Sequence, residues 1–79
     1  MATDIEDYQR IWQLQDAITT VVDANGFTVW SLRHSDGGFQ LELTEHIQED
    51  RAAELCGQFP LDAKYSGEGR TGTLILLWL

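Results

Sequence analysis

Basic residues are scarce in this sequence, which has five lysines and arginines against thirteen aspartates and glutamates. The formal net charge at pH 7 is −8, and Lys64 is the only lysine. Proteins that bind nucleic acids or anionic membranes by electrostatic attraction need clustered lysine and arginine. The composition therefore argues against direct nucleic-acid binding and against attraction to a membrane surface.

The sequence also has a single cysteine, Cys56, and no long apolar segment. One cysteine excludes a disulfide within the chain, and with it a small scaffold held together by disulfides. No segment approaches the roughly 20 apolar residues that span a bilayer, and the first residues lack the apolar core of a signal peptide. We therefore expect a cytoplasmic protein.

Three explanations of the excess negative charge remain open. Net charge keeps small proteins apart in solution, so the acidity can serve solubility alone. It is also typical of adaptation to high salt, which suits the scarcity of lysine. The third explanation is a surface that imitates nucleic-acid phosphates and occupies a basic site on another protein.

Two segments have the apolar periodicity of amphipathic helices. The first covers residues 3–24 and is followed by Asn25 and Gly26, where glycine tolerates the left-handed conformation that ends many helices. The second covers residues 44–58, with Thr44 or Asp50 as its N-cap, and Gly57 and Pro60 end it. His46 and Glu49 are three residues apart, so the second helix would place them on one face.

A tight β-hairpin is predicted at Asp36 and Gly37, because type I′ turns need a positive φ at both central residues. The same turn fixes the register of the two strands. The register places the apolar side chains on one face, with His34 opposite Phe39, Leu32 opposite Leu41 and Trp30 opposite Leu43. Trp12 and Trp30 are expected to pack in the core, and Trp78 in the core or in an interface.

A second hairpin is predicted from strands 61–66 and 71–79, joined by a four-residue turn at residues 67–70. In this register Ala63 faces Leu74 and Leu61 faces Leu76, so Leu74, Leu76 and Trp78 join the core. Since side chains alternate along a strand, Ile75, Leu77 and Leu79 then point to the opposite face.

These elements predict one domain, residues 1–79, of the α+β class with the order α-β-β-α-β-β. The simplest architecture is a four-stranded antiparallel sheet with both helices packed on one face. The last strand is apolar on both faces, so it is expected to be central in the sheet.

The face without helices would carry an apolar patch, and such a patch on a small protein usually marks a contact surface. We expect this patch to make the protein a homodimer, with sheets packed face to face. The predicted interface comprises Ile75, Leu77, Leu79, Val29 and Phe27. Val29 and Phe27 break the alternation of their strand, so packing at the sheet edge and a bulge are alternatives for these two residues.

Few residues in this sequence are candidates for catalysis or ligand binding. Residues 67–72 match G-x-G-x-x-G, but a strand follows where a dinucleotide site needs a helix, so the glycines are assigned to a turn. Cys56 lies on an apolar helix stripe and is read as a core residue. Acidic residues surround His46 and form the predicted acidic surface: Glu42, Glu45, Glu49 and Asp50.

The sequence favours a small, acidic, non-catalytic interaction module without cofactor or metal, which self-associates through the exposed sheet face. One alternative is an acidic decoy or adaptor that binds a basic protein, in the manner of a nucleic-acid mimic. A second alternative is a divalent-metal binder or enzyme that uses His46 and the nearby carboxylates.

Overall fold

The computed structural model describes the backbone of residues 2–35 and 37–78, and the side chains of residues 9–34 and 37–78. The chain folds as α+β, and the predicted order of elements is confirmed. The elements are α1 (Ala2–Ala24), β1 (Val29–Ser35), β2 (Gly38–Leu43), α2 (Glu49–Cys56), β3 (Asp62–Glu68) and β4 (Thr73–Trp78).

Helix α1 ends where the sequence predicts. The Asn25 side chain donates a hydrogen bond of 2.8 Å to the Val21 carbonyl, and Gly26 has a φ of +82°. Only glycine adopts this left-handed backbone without steric cost, so Gly26 terminates the helix. Neither described helix is long and apolar enough to cross a membrane.

Helix α2 is shorter than predicted, because the segment before it bonds to β4 instead. The Ile47 N–H donates to the Thr73 hydroxyl at 2.9 Å, and the Glu45 carbonyl accepts from the Thr73 N–H at 2.9 Å. The N-cap is Gln48, whose side chain makes no capping bond, so the prediction of Thr44 or Asp50 as the cap is wrong.

The four strands lie in the order β1-β2-β4-β3, and each neighbouring pair is antiparallel. Strand β4 is therefore central, as predicted, and β1 and β3 are the edges. Strands β2 and β3 both run antiparallel to β4, so they are parallel to each other. With α2 between them they form a split β-α-β unit.

A β-bulge in β1 changes the face on which Trp30 lies. Val29 pairs with Leu43 and Ser31 pairs with Glu42, so Trp30 is an extra residue in the strand. The rest of the predicted register, from Ser31 to His34, is confirmed. Val29 takes the core position expected for Trp30, and 61% of the Trp30 surface is exposed.

A second bulge, in β3, exchanges the two faces of the sheet on which the β4 side chains were predicted to lie. The hairpin loop is residues 69–72, and Glu68 pairs with Thr73. Ser66 is then an extra residue, since Tyr65 pairs with Ile75 and Gly67 pairs with Leu74. One extra residue shifts the alternation by one position, so the two faces of β4 exchange relative to the predicted pairing.

The core lies between the two helices and one face of the sheet, which we call the inner face. Buried residues of α1, α2 and the following loop pack on buried residues of β2 and β4. These are Ile18, Val22, Leu55 and Phe59 on the helical side, and Phe39, Leu41, Leu43, Ile75 and Leu77 on the sheet. Both helices therefore cover the same face, as predicted, and neither described helix lies on the other face of the sheet.

Candidate functional site

The outer face of the sheet, which points away from the helices, exposes large apolar side chains. Leu76 and Trp78 are each 42% exposed, and Trp30 is 61% exposed. Leu74 is half-buried on the same face of β4. Polar neighbours surround these four residues on the other strands: Ser31, Arg33, Gln40, Glu42, Asp62 and Lys64.

Leu76 lies near the middle of the outer face. It pairs with Gln40 of β2 on one side and with Lys64 of β3 on the other. Trp78 pairs in the same way with Gly38 and Asp62. A Cβ atom at Gly38 would collide with the backbone of Leu77 and Trp78, so only glycine permits this close approach of β2 and β4.

The bulge in β1 brings Trp30 to the outer face. Trp30 lines a shallow cavity of about 160 Å³ together with Ser31, Arg33, Gln40 and Glu42, all of which belong to this face. In a regular strand Trp30 and Ser31 would point to opposite faces. The extra residue removes this alternation and adds an aromatic ring to the exposed surface.

The strand residues of the outer face are balanced in charge, although the chain is not. Arg33 and Lys64 lie on this face with Glu42 and Asp62, so two bases match two acids. The whole chain has a net charge of −8. The excess negative charge therefore lies away from these strand positions.

The predicted interface residues are not on this surface. Ile75 is completely buried and Leu77 is 2% exposed, because the β3 bulge places both on the inner face. Phe27 and Val29 are half-buried against the core, and the Arg51 guanidinium lies over the Phe27 ring at 5.5 Å. Placing Ile75 and Leu77 on the exposed face was wrong, Val29 lies beside a bulge as one of the alternatives for it predicted, and Leu79 lies outside the described residues.

The four acids of the predicted acidic surface belong to three different elements. Glu42 lies on β2 and accepts hydrogen bonds from the Thr71 N–H and hydroxyl. These bonds, with Arg33 and Arg70 nearby, lower the pKa of Glu42. Glu45 lies in the loop and accepts from the Thr28 N–H, and the remaining two, Glu49 and Asp50, begin α2.

His46 does not share a helix face with Glu49, because it precedes α2. Its Nδ1 lies 2.6 Å from the Glu68 carboxylate. The same carboxylate accepts hydrogen bonds from the Tyr65 hydroxyl at 3.1 Å and from the buried Thr73 hydroxyl at 3.3 Å. Glu68 thereby joins the loop before α2 to the β3–β4 hairpin.

The Glu68 contacts favour the ionised form of its carboxylate. The hydrogen bond with His46 is the largest cause of a lowered pKa at Glu68, with smaller contributions from Tyr65 and Thr73. Among the described residues, no group of three histidine, cysteine or acidic side chains is arranged to hold a metal ion.

The glycine-rich segment 67–72 forms the end of β3 and the hairpin loop, and the loop is residues 69–72 instead of the predicted 67–70. Gly67 lies in the β3 bulge with a φ of +118°, and the Gly69 N–H donates to the Gly72 carbonyl at 2.7 Å. A Cβ at Gly72 would collide with the backbone of Leu43 and Glu45, so this glycine permits close packing of the loop.

Sequence reasoning missed four surface residues that it had assigned to the core: Trp30, Leu76 and Trp78 on the sheet, and Trp12 on α1, which is 71% exposed. One signal for the correction was present at Gly67, because a glycine within an otherwise regular strand often marks a bulge. Comparison with known proteins found no matching family, no similar curated protein and no similar solved structure.

Proposed function

We propose that this protein is a small, acidic interaction module that forms a reversible homodimer through the outer faces of two sheets. The observation that carries the proposal is an apolar, charge-balanced face on a chain of net charge −8. Exposed apolar area of this kind usually marks a contact surface.

The charge distribution favours a second copy as the occupant of this face. Two chains of charge −8 repel each other, and the repulsion is weakest where the facing surfaces carry no net charge. In a two-fold arrangement the same patch faces itself, so Arg33 and Lys64 of one protomer can approach Glu42 and Asp62 of the other. A strongly basic partner would instead gain more from the acidic surfaces elsewhere on the chain.

The expected affinity is modest. At about 200 Å² for each aromatic side chain, the exposed parts of Trp30 and Trp78 amount to about 200 Å² in each protomer. Burial in two protomers contributes about 10 kcal/mol at about 25 cal/mol per Å². Association costs about 4–15 kcal/mol, so we expect a dimer whose population depends on protein concentration.

The test is the mass in solution, measured by sedimentation over a range of concentrations at low and at molar salt. Added salt screens the repulsion between acidic chains, so the dimer should be more populated at high salt. Contact between an acidic surface and a basic partner would show the opposite salt dependence. Wild-type protein that stays monomeric to about 1 mM at both salt concentrations would refute the proposal.

Two variants locate the contact. Leu76→Glu places a charge in the centre of the outer face and should give a folded monomer. Gln13→Glu adds the same charge at an exposed position on α1 and should leave the dimer unchanged. Equal effects of the two substitutions would show that net charge, and not the outer face, controls association.

A further inference from the structure

On the helical side of the molecule, an open groove runs between α2 and the edge strand β3. Its volume is about 570 Å³, which lies within the range of about 300–1,000 Å³ that is usual for binding pockets. The groove exists because the side chains on both walls are small: Ala53, Cys56 and Gly57 on the α2 side and Ala63 on β3.

The floor of the groove is apolar and its flanks are acidic. Phe59 is buried, and Leu61 and Tyr65 are half-buried along the groove. Glu49 lines it from α2, whereas Asp62 and Lys64, which belong to the outer face, line it along the edge of β3. Taken together, α2 and β3 contain five acidic and two basic residues.

Strand β3 supplies hydrogen-bonding groups beside the groove. Because β3 is an edge strand, its outer row of backbone N–H and C=O groups has no neighbouring strand in the part of the chain that the structure describes. An extended peptide can bind such an edge as an additional strand, with alternate side chains entering a pocket next to it.

The bulge at Ser66 limits where a peptide can pair. The regular part of β3 on this edge is residues 62–65, and the ladder is interrupted beyond Tyr65. The small side chains of the groove lie beside this regular part. The free backbone groups of residues 62–65 and the apolar floor of the groove therefore lie side by side, and both would contact the same few residues of a bound peptide.

We propose that the groove between α2 and β3 binds an extended, basic peptide segment of another protein by β-strand addition to residues 62–65. Apolar side chains of the segment occupy the groove over Phe59 and Leu61. The lysines or arginines that alternate with them lie along the β3 edge near Asp62, and the acidic residues of α2 attract them at longer range. This goes beyond self-association, because it uses the groove and the β3 edge; of the groove lining only Asp62 and Lys64 also belong to the outer face.

The test uses a capped seven-residue peptide in which lysine alternates with valine, added to the isotope-labelled protein and followed by backbone amide NMR. The amides of residues 62–65 and those beside Ala53 should shift, and those amides of residues 62–65 that point away from β4 should become protected from hydrogen exchange. A peptide with glutamate in place of lysine should bind at least about tenfold more weakly, and added salt should reduce the difference. A peptide methylated on alternate backbone nitrogens should not bind, because it lacks the donors for strand pairing.

Filling the groove provides the protein control. Ala53→Leu introduces a larger side chain at an exposed helix position on the wall of the groove and should weaken binding by at least about tenfold. Ala24→Leu makes the same change at an exposed position at the end of α1 and should bind like wild type. Cys56 lines the groove, so bound peptide should also slow its alkylation by iodoacetamide.

The proposal is overturned if the lysine peptide causes no shifts at residues 62–65 at about 1 mM, or if Ala53→Leu and Ala24→Leu bind it equally. The Leu76→Glu variant separates this proposal from the homodimer. It should retain peptide binding although it cannot self-associate, and its loss of peptide binding would show that the groove depends on the dimer.

Discussion

Leu76 and Leu77 are adjacent and chemically identical, and the structure predicts opposite responses to their substitution by alanine. Leu77 is 2% exposed and pairs with Phe39 and Ala63 on the inner face. Leu76 is 42% exposed and pairs with Gln40 and Lys64 on the outer face. Leu77→Ala should therefore reduce the stability of the fold, and Leu76→Ala should reduce self-association.

The magnitudes follow from the two environments. Replacing a buried leucine by alanine removes apolar contact and leaves a cavity, which costs about 2–5 kcal/mol. Replacing the exposed Leu76 should cost about 1 kcal/mol or less in the monomer. A domain of this size has a free energy of unfolding of about 4–12 kcal/mol, so Leu77→Ala removes a large part of it and Leu76→Ala does not.

Urea unfolding followed by circular dichroism measures both free energies at a protein concentration where the chain is monomeric. The choice of concentration matters, because a dimer adds to the apparent stability in proportion to its population. If Leu76→Ala destabilises the monomer as much as Leu77→Ala, the pairing of Tyr65 with Ile75 is wrong. The two faces of β4 would then be those that the sequence alone suggests.

Two further predictions concern the contacts of Glu68. Thr73→Val removes a fully buried hydroxyl that accepts a hydrogen bond from the Ile47 N–H. It should lower the free energy of unfolding, measured with urea, by about 1–3 kcal/mol. A change near zero would mean that this N–H finds another partner. Because the folded-state pKa of Glu68 is lowered, its contribution to stability is present above the ordinary value of 4.5 and is lost as the pH falls through the lowered pKa. The unfolding free energy of Glu68→Gln should therefore fall less between pH 7 and pH 3 than that of wild type, and parallel curves would contradict the assignment.

The parts of the fold that were predictable depend on local chemistry. Gly26 ends α1 because a left-handed residue is required there, and glycine is the residue that supplies it. The turn at Gly37, with a φ of +83°, fixes the pairing of the first hairpin from Ser31 onward. The alternation of polar and apolar residues along β1 and β2 then assigns their faces, and with them the side of the sheet that the helices cover.

The parts that were not predictable depend on the two bulges and on a distant hydrogen bond. A bulge inserts one residue and reverses every assignment beyond it, and its signals here were only Gly67 in β3 and the broken alternation at Phe27 and Val29. The extra residue Ser66 is why Leu76 and Trp78 were expected in the core and Ile75 and Leu77 on the surface. Trp30, the extra residue of β1, was itself expected in the core. The late start of α2 results from bonds to Thr73, which is 26 residues from Ile47 in the sequence.

The two bulges also bear on how the edges of the sheet can meet other chains. An uninterrupted edge strand offers a continuous row of backbone groups to another sheet, and this is how many β-proteins begin to form fibrils. Here Trp30 interrupts β1 near its start and Ser66 interrupts β3 near its end, and these are the two edge strands. Each bulge shortens the regular edge, so a short peptide can still pair with residues 62–65 of β3, while extension of the sheet along the full length of either strand is disfavoured.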